Sequence, residues 1–365
     1  MGLELLIAAA KALLVLLMVL NLAGMLGWIE RKGSALIQDR IGANRAAIFG
    51  FAGAGLINTM VADPIKFLTK EDVIPKGVDR LLHTLAPCIN LFPALVTFAV
   101  IPFGDVLEIG DMQINLQVAP LDVGILYVLA MVSLGVYGVT LGGWASNNRW
   151  SLLGGIRGSA QMISYEIGMG LAMVAVVLTY GTLDLQEMVR AQGDLLFGFL
   201  PAWGVFYQPI GFLIFMVAGI AESKRVPFDL PESESELVSG YFTEYSGVKH
   251  LMFFMTDFVE VVIVSGLATT LFFGGWQVPF LMRDGFHLPG DVLIGLPSLL
   301  VTLLQVGAFT VKVLVLCWVQ IMVRWTVPRF RYDQLMRLGW KGLLPLGLAN
   351  VVVTALLVLA LGGGE

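Results

Sequence analysis

Residues 250–274 read HLMFFMTDFVEVVIVSGLATTLFFG, and this stretch decides the fold. About 20 consecutive apolar residues are enough for a helix to cross the ~30 Å hydrocarbon core of a bilayer. The stretch is long enough, yet it contains Asp257 and Glu260. An ionisable side chain inside a membrane is costly and usually marks a paired or hydrated functional position. The stretch therefore predicts a transmembrane helix whose ionisable side chains serve a function inside the membrane.

The composition of the whole chain has the same character. Of its 365 residues, 57% are hydrophobic and only 13% are charged, whereas soluble proteins contain about 25% charged residues. This balance excludes a soluble globular protein and a disordered one. The net charge of −5 gives no indication of a nucleic-acid partner. Cys88 and Cys317 are far apart and no histidine cluster accompanies them, so we expect no metal site and no redox centre in this chain.

Eight apolar segments are long enough to span a membrane. They are residues 3–27, 83–104, 121–142, 160–180, 204–221, 250–274, 297–320 and 342–361. Segment 46–69 is broken by Asp63, Pro64 and Lys66 and suits an amphipathic helix at the inner interface. A ninth span there is the alternative. We expect an all-α polytopic membrane protein, a single domain over residues 1–365, with about eight transmembrane helices plus an interfacial amphipathic helix.

The distribution of basic residues predicts the orientation. Of the 22 lysines and arginines, 18 lie in four loops, at residues 28–82, 143–159, 222–249 and 321–341. The opposite loops contain only Arg190 and Arg283. Because basic residues accumulate in cytoplasmic loops, we expect these four loops on the inner side and both termini on the outer, periplasmic side of a bacterial inner membrane. A ninth span at 46–69 would destroy this bias, which argues against it.

Four ionisable residues lie inside the predicted spans: Glu166 in the fourth, Asp257 and Glu260 in the sixth, and Lys312 in the seventh. Counted from the inner ends at ~1.5 Å per residue, Glu166, Asp257 and Lys312 lie roughly 9, 10 and 12 Å deep, and Glu260 follows Asp257 by three residues, so the four lie at comparable depth. We expect them to face the bundle interior, to pair with each other or to line a hydrated path. Carboxyls buried beside one lysine can exchange protons near neutral pH. Static pairing that orients the helices is the alternative interpretation.

Loop 222–249 is acidic although the other inner loops are basic. Its six acids are Glu222, Asp229, Glu232, Glu234, Glu236 and Glu244. Large apolar residues, among them Phe228, Leu230 and Tyr241, are interleaved with the acids, and a purely solvated loop has no need of them. We therefore expect this loop to pack against the bundle, with its acids lining a polar cavity.

Four stretches together resemble one protein family. They are ERKGSALIQDRIGANR (30–45), GWASNNRWSLLGGIRGSAQMISYEI (143–167), AESKRVPFDLPESESELVSGYFTEYSG (221–247) and VPRFRYDQLMRLGWK (327–341). The family is the quinone-site membrane subunit, of H type and the counterpart of mitochondrial subunit 1, of respiratory complex I, the proton-pumping NADH:quinone oxidoreductase. Two departures are Ala43, where proline is usual, and Asp257, where glutamate is common. The second departure keeps the carboxylate but shortens its reach.

The resemblance implies a membrane protein that forms much of a quinone-binding chamber and helps couple quinone reduction to proton translocation. It implies quinone as the substrate, of unknown type, and FMN and iron–sulfur clusters only in partner subunits. The implied partners are the peripheral-arm quinone-module subunits, neighbouring membrane subunits and membrane lipid.

Site residues follow from the resemblance together with the charge pattern, and no catalytic residue is expected in this chain. The expected chamber residues are Glu30, Arg31, Arg40, Arg45, Asp63, Lys66, Phe228 and Glu232. The expected proton-coupling residues are Glu166, Glu222, Asp229, Glu234, Glu236, Glu244, Asp257, Glu260 and Lys312.

Other functions remain open at this point. One alternative is the equivalent subunit of a related membrane-bound hydrogenase or ferredoxin-linked complex. Another is a structural anchor for the peripheral arm. An independent secondary transporter would show an inverted repeat, and none is evident in the sequence.

Overall fold

The computed structural model describes residues 2–42, 55–109, 112–196, 200–283, 285–288 and 292–362. Most of them are helical. The α-helices are α1 Gly2–Ile37, α2 Gly55–Ile57, α3 Asp63–Thr69, α4 Arg80–Thr97, α5 Gly124–Ala145, α6 Arg149–Tyr180, α7 Leu185–Ala191, α8 Gly204–Tyr207, α9 Pro209–Glu222, α10 Glu234–Leu237, α11 Gly247–Phe272, α12 Ser298–Thr326, α13 Tyr332–Arg337 and α14 Leu344–Gly362. Two π-helical segments, Asn58–Ala62 and Leu338–Leu343, and two 3₁₀ turns, Phe98–Val100 and Gly240–Phe242, supplement them.

Short antiparallel strands occupy the connections that follow α4, α7 and α11. The pairs are β1 Val106–Ile109 with β2 Met112–Asn115, β3 Leu195–Leu196 with β4 Leu200–Pro201, and β5 Leu281–Met282 with β6 Gly285–Leu288, which also pairs with β7 Val292–Gly295. These strands are too short to form a core layer, so the fold is carried by helices.

Among the described residues, seven helical stretches are long and apolar enough to cross a membrane. They are Leu5–Ile37, Arg80–Val100, Gly124–Ala145, Arg149–Tyr180, Gly247–Phe272, Ser298–Thr326 and Tyr332–Ala360. Each overlaps one of the eight predicted segments, which confirms the all-α polytopic membrane class. Several extend well past the predicted inner ends, because polar residues continue the helices beyond the apolar runs.

The segment predicted as a span at 204–221 forms two helices, α8 and α9. Pro209 begins α9 because proline lacks the N–H that a continuous helix requires. Gln208 at the break is buried; its Nε2 donates to Thr354 Oγ1 at 2.7 Å, and its Oε1 accepts from Asn350 at 2.9 Å. Helix α9 has 14 residues, about 21 Å, so it is shorter than a full span.

The part of segment 46–69 that the structure describes, 55–69, is a bent helical stretch. It packs beside α1 and α11, and none of the residues of α3 is fully buried. Residues 46–54 lie outside the described part of the chain, so the interfacial helix over segment 46–69 stays a prediction.

Helix α11 is the central helix of the bundle. Its apolar window is 72% buried within the chain, whereas that of α1 is 11% buried, since α1 lies at the periphery. The acidic loop 222–249, termed the inner loop from here on, packs against the bundle as predicted: Phe228, Leu230 and Tyr241 are all buried. A close approach at Gly154 permits this packing, because a Cβ atom there would lie 2.7 Å from the backbone nitrogen of Tyr241.

We expect Gly154→Val to lower the melting temperature of the detergent-solubilised protein. The new side chain would collide with the backbone of the inner loop, and such overpacking costs about 1–3 kcal/mol. Gly170→Val on the same helix is the matched control, because nothing lies within 4 Å of a Cβ atom there. Equal melting temperatures for the two variants would contradict this account of the packing.

Candidate functional site

Lys224 is the centre of the candidate site. It follows α9 in a left-handed backbone conformation (φ +53°), and its side chain is completely buried. Its Nζ lies 2.8 and 2.9 Å from the two carboxylate oxygens of Glu260 and 3.4 Å from Oδ1 of Asp257. Asp257 and Glu260 are three positions apart on α11, so they share a helix face. These three residues are termed the ion cluster.

The ion cluster keeps its lysine charged. Burial alone would lower the pKa of Lys224, because the ammonium loses its water. The carboxylates of Glu260 and Asp257 outweigh burial and raise that pKa. One permanent cation therefore faces two carboxyls, and the cluster is a place where a further proton can be held.

The inner loop adds two acids whose protonation is shifted. Burial raises the pKa of Glu232 well above its usual range, and nearby Asp257 raises it further. Burial also raises the pKa of Asp229 to about 6, although Arg329 Nη2, 2.6 Å from Asp229 Oδ2, opposes this. Both carboxyls therefore bind protons at a higher pH than a surface acid does.

Glu30 ties α1 to the inner loop and to α12. Its two carboxylate oxygens accept hydrogen bonds from Arg225 and Arg324, and its side chain is only 14% exposed. The Arg225 guanidinium carbon also lies 3.8 Å from the centre of the Phe258 ring, a cation–π contact. Arg225 is the next residue after Lys224, so its ion pair with Glu30 connects the ion cluster to α1.

A cavity of about 480 Å³ opens between α1, the stretch around α3, and α11. Arg31, Asp63 and Lys66 line it, and Arg31 Nη2 lies 3.0 Å from Asp63 Oδ2. Much of the remaining wall is apolar and includes Phe258. Phe258 thus contacts Arg225 on one side and borders the cavity on the other. This volume is termed the α1/α11 cavity.

Several of the predicted chamber residues lie elsewhere. The Arg40 guanidinium donates to a neighbouring glutamine side chain at 2.8 Å. Phe228 is buried and stacks on Phe330, with ring centres 5.5 Å apart. Glu232 is grouped with the ion cluster, and Arg45 lies outside the described residues. In the described part of the chain, the α1/α11 cavity thus unites three of the predicted chamber residues directly and Glu30 through its contact with Arg225.

Buried carboxyls continue from the ion cluster toward α5 and α6. Glu222 is 3% exposed, and neither of its carboxylate oxygens has a hydrogen-bond partner in the described part of the chain. Glu222 and Glu260 border a small cavity of about 30 Å³. Glu166 on α6 accepts a hydrogen bond from Ser133 on α5. The structure therefore brings Glu222 together with Glu260 and Asp257, whereas Glu166 is half-buried and contacts Ser133.

The remaining loop acids fasten the loop to the start of α6. Glu236 lies 2.6 Å from Arg157, and Glu244 accepts a hydrogen bond from Asn148 at 2.7 Å. The side chain of Glu234 lies outside the described part of the structure.

Lys312 does not belong to the ion cluster, and the prediction that it lies beside the carboxyls is wrong. Its Nζ donates to the backbone carbonyls of Phe273, Gly275 and Gln277 at 2.8, 3.0 and 2.6 Å. Helix α12 continues to Thr326, beyond the predicted end at 320. Lys312 therefore lies further from the inner end and binds the chain that follows α11.

Sequence reasoning missed the roles of Lys224, Arg225 and Arg324. All three counted only as bases of inner loops, which is how most such residues behave. The available signal was the position of Lys224 and Arg225, which follow an apolar run that ends in Glu222 and Ser223. Charges at the end of a buried helix need buried partners.

The chain is similar over nearly its whole length to proteins of one family. A family model described as NADH dehydrogenase matches residues 10–355. The chain is 46% identical to NADH-quinone oxidoreductase H-type subunit 2 of Geobacter sulfurreducens, over 97% of each protein. It is 46% identical to NADH-quinone oxidoreductase subunit 8 of Rhodothermus marinus, over 98% of each, and 45% identical to the H-type subunit 1 of Cytophaga hutchinsonii, over 91% of each.

We expect Lys224→Met to destabilise the protein strongly. The change leaves Asp257 and Glu260 buried without their cation, and breaking a buried ion pair in this way costs about 3–5 kcal/mol. The readout is the melting temperature and the yield of intact protein from membranes. Arg331→Gln is the control, since Arg331 pairs with Asp333 at 3.4 Å while 80% exposed. A Lys224→Met protein as stable as this control would refute the role given to Lys224.

Proposed function

The chain belongs to the NADH dehydrogenase family, as a relative of the H-type subunits of NADH-quinone oxidoreductase, and from this premise we propose that it forms much of the quinone-binding chamber and helps couple quinone reduction to proton translocation. As a membrane subunit of this enzyme complex it works with the other subunits of the complex. FMN and iron–sulfur clusters held by partner subunits would supply the electrons. Subunits of the quinone module and neighbouring membrane subunits are its protein partners.

The α1/α11 cavity is the proposed chamber. A quinone has an apolar tail and a ring with two carbonyl oxygens, so it needs an apolar channel with hydrogen-bond donors along part of the wall. The wall of this cavity provides Phe258 and other apolar side chains together with Arg31 and Lys66. Its volume of about 480 Å³ is within the range of small-molecule sites.

The residues bordering the cavity suit the chemistry of quinone reduction. Each quinone accepts two electrons and two protons, and negative charge develops on its ring oxygens as electrons arrive. The Lys66 ammonium and the Arg31 guanidinium stabilise that charge. Asp63, 3.0 Å from Arg31, holds the guanidinium in place.

The observation that carries the coupling proposal is the position of Arg225. It contacts Phe258 in the cavity wall, pairs with Glu30 on α1, and follows Lys224 of the ion cluster. A change of charge or of contact at the cavity therefore acts on the ion cluster over a short distance, in a region of low dielectric where charges interact strongly.

Proton movement is assigned to the carboxyls around the ion cluster. Glu232 and Asp229 have raised pKa values because of burial, so they hold protons that a new charge nearby redistributes. Glu260, Glu222 and Glu166 continue this set across the bundle. Such coupling requires an element with two arrangements, and the inner loop that carries Glu232 and Arg225 is the proposed element.

The proposed orientation follows from the basic loops. Arg157 lies in the N-terminal part of α6, Lys224 and Arg225 follow α9, and Arg329 and Arg331 lie between α12 and α14. With this side facing the cytoplasm, and with α8 and α9 together taken as the eighth crossing beside the seven long helical stretches, both termini lie on the periplasmic side and the α1/α11 cavity faces the peripheral arm.

We expect Gly24→Leu to raise the KM for quinone by at least about tenfold, because overfilling a packed site costs about 1–3 kcal/mol. Gly24 lines the α1/α11 cavity. The measurement is NADH oxidation by membranes as a function of quinone concentration. Gly307→Leu on α12, which has nothing within 4 Å of its Cβ position, is the control. An unchanged KM in assembled Gly24→Leu complex would rule out this cavity as the chamber.

We expect Glu166→Gln to reduce quinone-linked proton pumping while the complex still assembles. Glutamine keeps the volume and accepts the hydrogen bond from Ser133 but cannot exchange a proton. Pumping is measured as acidification of inverted membrane vesicles upon NADH addition, and assembly on native gels. Glu187→Gln, at a carboxylate bound by the Thr182 hydroxyl at 2.9 Å on the opposite side of the bundle, is the control. Wild-type pumping by Glu166→Gln would remove Glu166 from the path.

A further inference from the structure

Several polar atoms that line the small cavity beside Glu222 have no hydrogen-bond partner in the described part of the chain. Asn90 on α4 is 1% exposed, and in the described part of the chain neither its Oδ1 nor its Nδ2 has a hydrogen-bond partner. The same is true of the two carboxylate oxygens of Glu222. Both side chains line the cavity, together with Glu260 and apolar residues. Buried polar groups nearly always find partners, so both must find one inside the cavity.

The position of Asn90 is fixed by close helix packing. Where α4 meets α5, a Cβ atom on Gly138 would lie 2.6 Å from Asn90 Cβ, and one on Gly135 would lie 3.8 Å from Asn90 Oδ1. The backbone and Cβ of Asn90 are therefore held closely against α5. Its side chain lines the same cavity as Glu222 and Glu260.

The size and charge of the cavity select its occupant. Its volume of about 30 Å³ is enough for one or two waters, since a water needs about 10–15 Å³ measured in this way. A cation is disfavoured because the Lys224 ammonium already binds Glu260 at 2.8 Å. A water, by contrast, makes two to four hydrogen bonds, and the amide and the two carboxyls supply both donors and acceptors.

We propose that Asn90 positions a water between Glu222 and Glu260, and that this water carries a proton between the two carboxyls. The inference rests on the proposed proton-coupling function. In the forward step the O–H bond of protonated Glu260 breaks as its proton passes to the water oxygen. At the same time an O–H bond of the water breaks and that proton binds the Glu222 carboxylate. The water is regenerated, and ionised Glu260 pairs with Lys224.

Asn90 neither gains nor loses a proton in this step. Its Oδ1 accepts the second hydrogen of the water, which turns the water's lone pair toward Glu260 and its first hydrogen toward Glu222. Asn90 is therefore a positioning residue, and its removal affects proton transfer through the placement of the water.

The test uses the assembled complex in inverted membrane vesicles. Asn90→Leu keeps the volume and removes both hydrogen-bonding groups. We expect it to lower the rate of proton pumping by at least about tenfold, which is less than the roughly 10²–10⁴-fold contributed by a group that itself transfers the proton, because Asn90 acts through the water. We also expect it to remove a water O–H band from the infrared difference spectrum of quinone reduction, recognised by its shift in H₂¹⁸O.

Two further variants make the test specific. Thr97→Val changes a buried polar residue on the same helix whose hydroxyl bonds its own helix at Pro93 O, 2.8 Å away, and should keep both pumping and the band. Asn90→Ser retains a hydroxyl and leaves room for a second water, so it should pump faster than Asn90→Leu and show a shifted band. If Asn90→Leu fails to assemble, an Asn90→Ser band identical to that of the wild type overturns the proposal.

Glu222→Gln separates this proposal from the proposed function. If Glu222→Gln pumps normally in assembled complex, the proton-coupling role of this region is wrong. If Glu222→Gln abolishes pumping while Asn90→Leu pumps normally or keeps the water band, the coupling role stands and the role of Asn90 is overturned. Loss of pumping in both variants, with loss of the band in Asn90→Leu, supports the proposal.

Discussion

A lysine that has lost its water needs carboxylates around it to stay charged, and Lys224 imposes this requirement on the bundle. Its two partners stand one turn apart on α11, the most buried spanning helix, so the end of α9 must lie against the middle of that helix. The chain that continues from Lys224 is then held on the bundle surface, where Phe228 and Tyr241 become buried. Removal of the attraction leaves two buried anions, which no apolar packing compensates.

The ion cluster and the α1/α11 cavity are separated by little more than Phe258 and Arg225. This proximity matters because electrostatic energies fall with distance and with the dielectric of the medium. In the proposed function, a ligand that changes charge in the cavity would act on the ion cluster through these few side chains, without a long relay of residues.

Much of the architecture was accessible from the sequence because apolar run length and basic loop residues are strong signals in a membrane. The packing of the acidic loop was also predictable, since Phe228, Leu230 and Tyr241 need a partner surface. The partners of the buried acids were not predictable. Lys224 reaches α11 through a left-handed turn that no residue type specifies, and the helix that carries Lys312 runs further than its apolar pattern. The break at Gln208 is hidden because apolar residues continue on both sides of it.

Helix α6 has 32 residues, about 48 Å, against ~30 Å of hydrocarbon. Helix α6 is thus longer than one perpendicular crossing requires, and the Arg157–Glu236 pair fastens the acidic loop 222–249 to its N-terminal part, with 24% and 54% of the two side chains exposed. Salt weakens exposed ion pairs such as this one, whereas the side chain of Lys224 is completely buried and is screened much less. Raising the ionic strength is therefore expected to weaken the exposed Arg157–Glu236 contact and to leave the buried contacts of Lys224 in place.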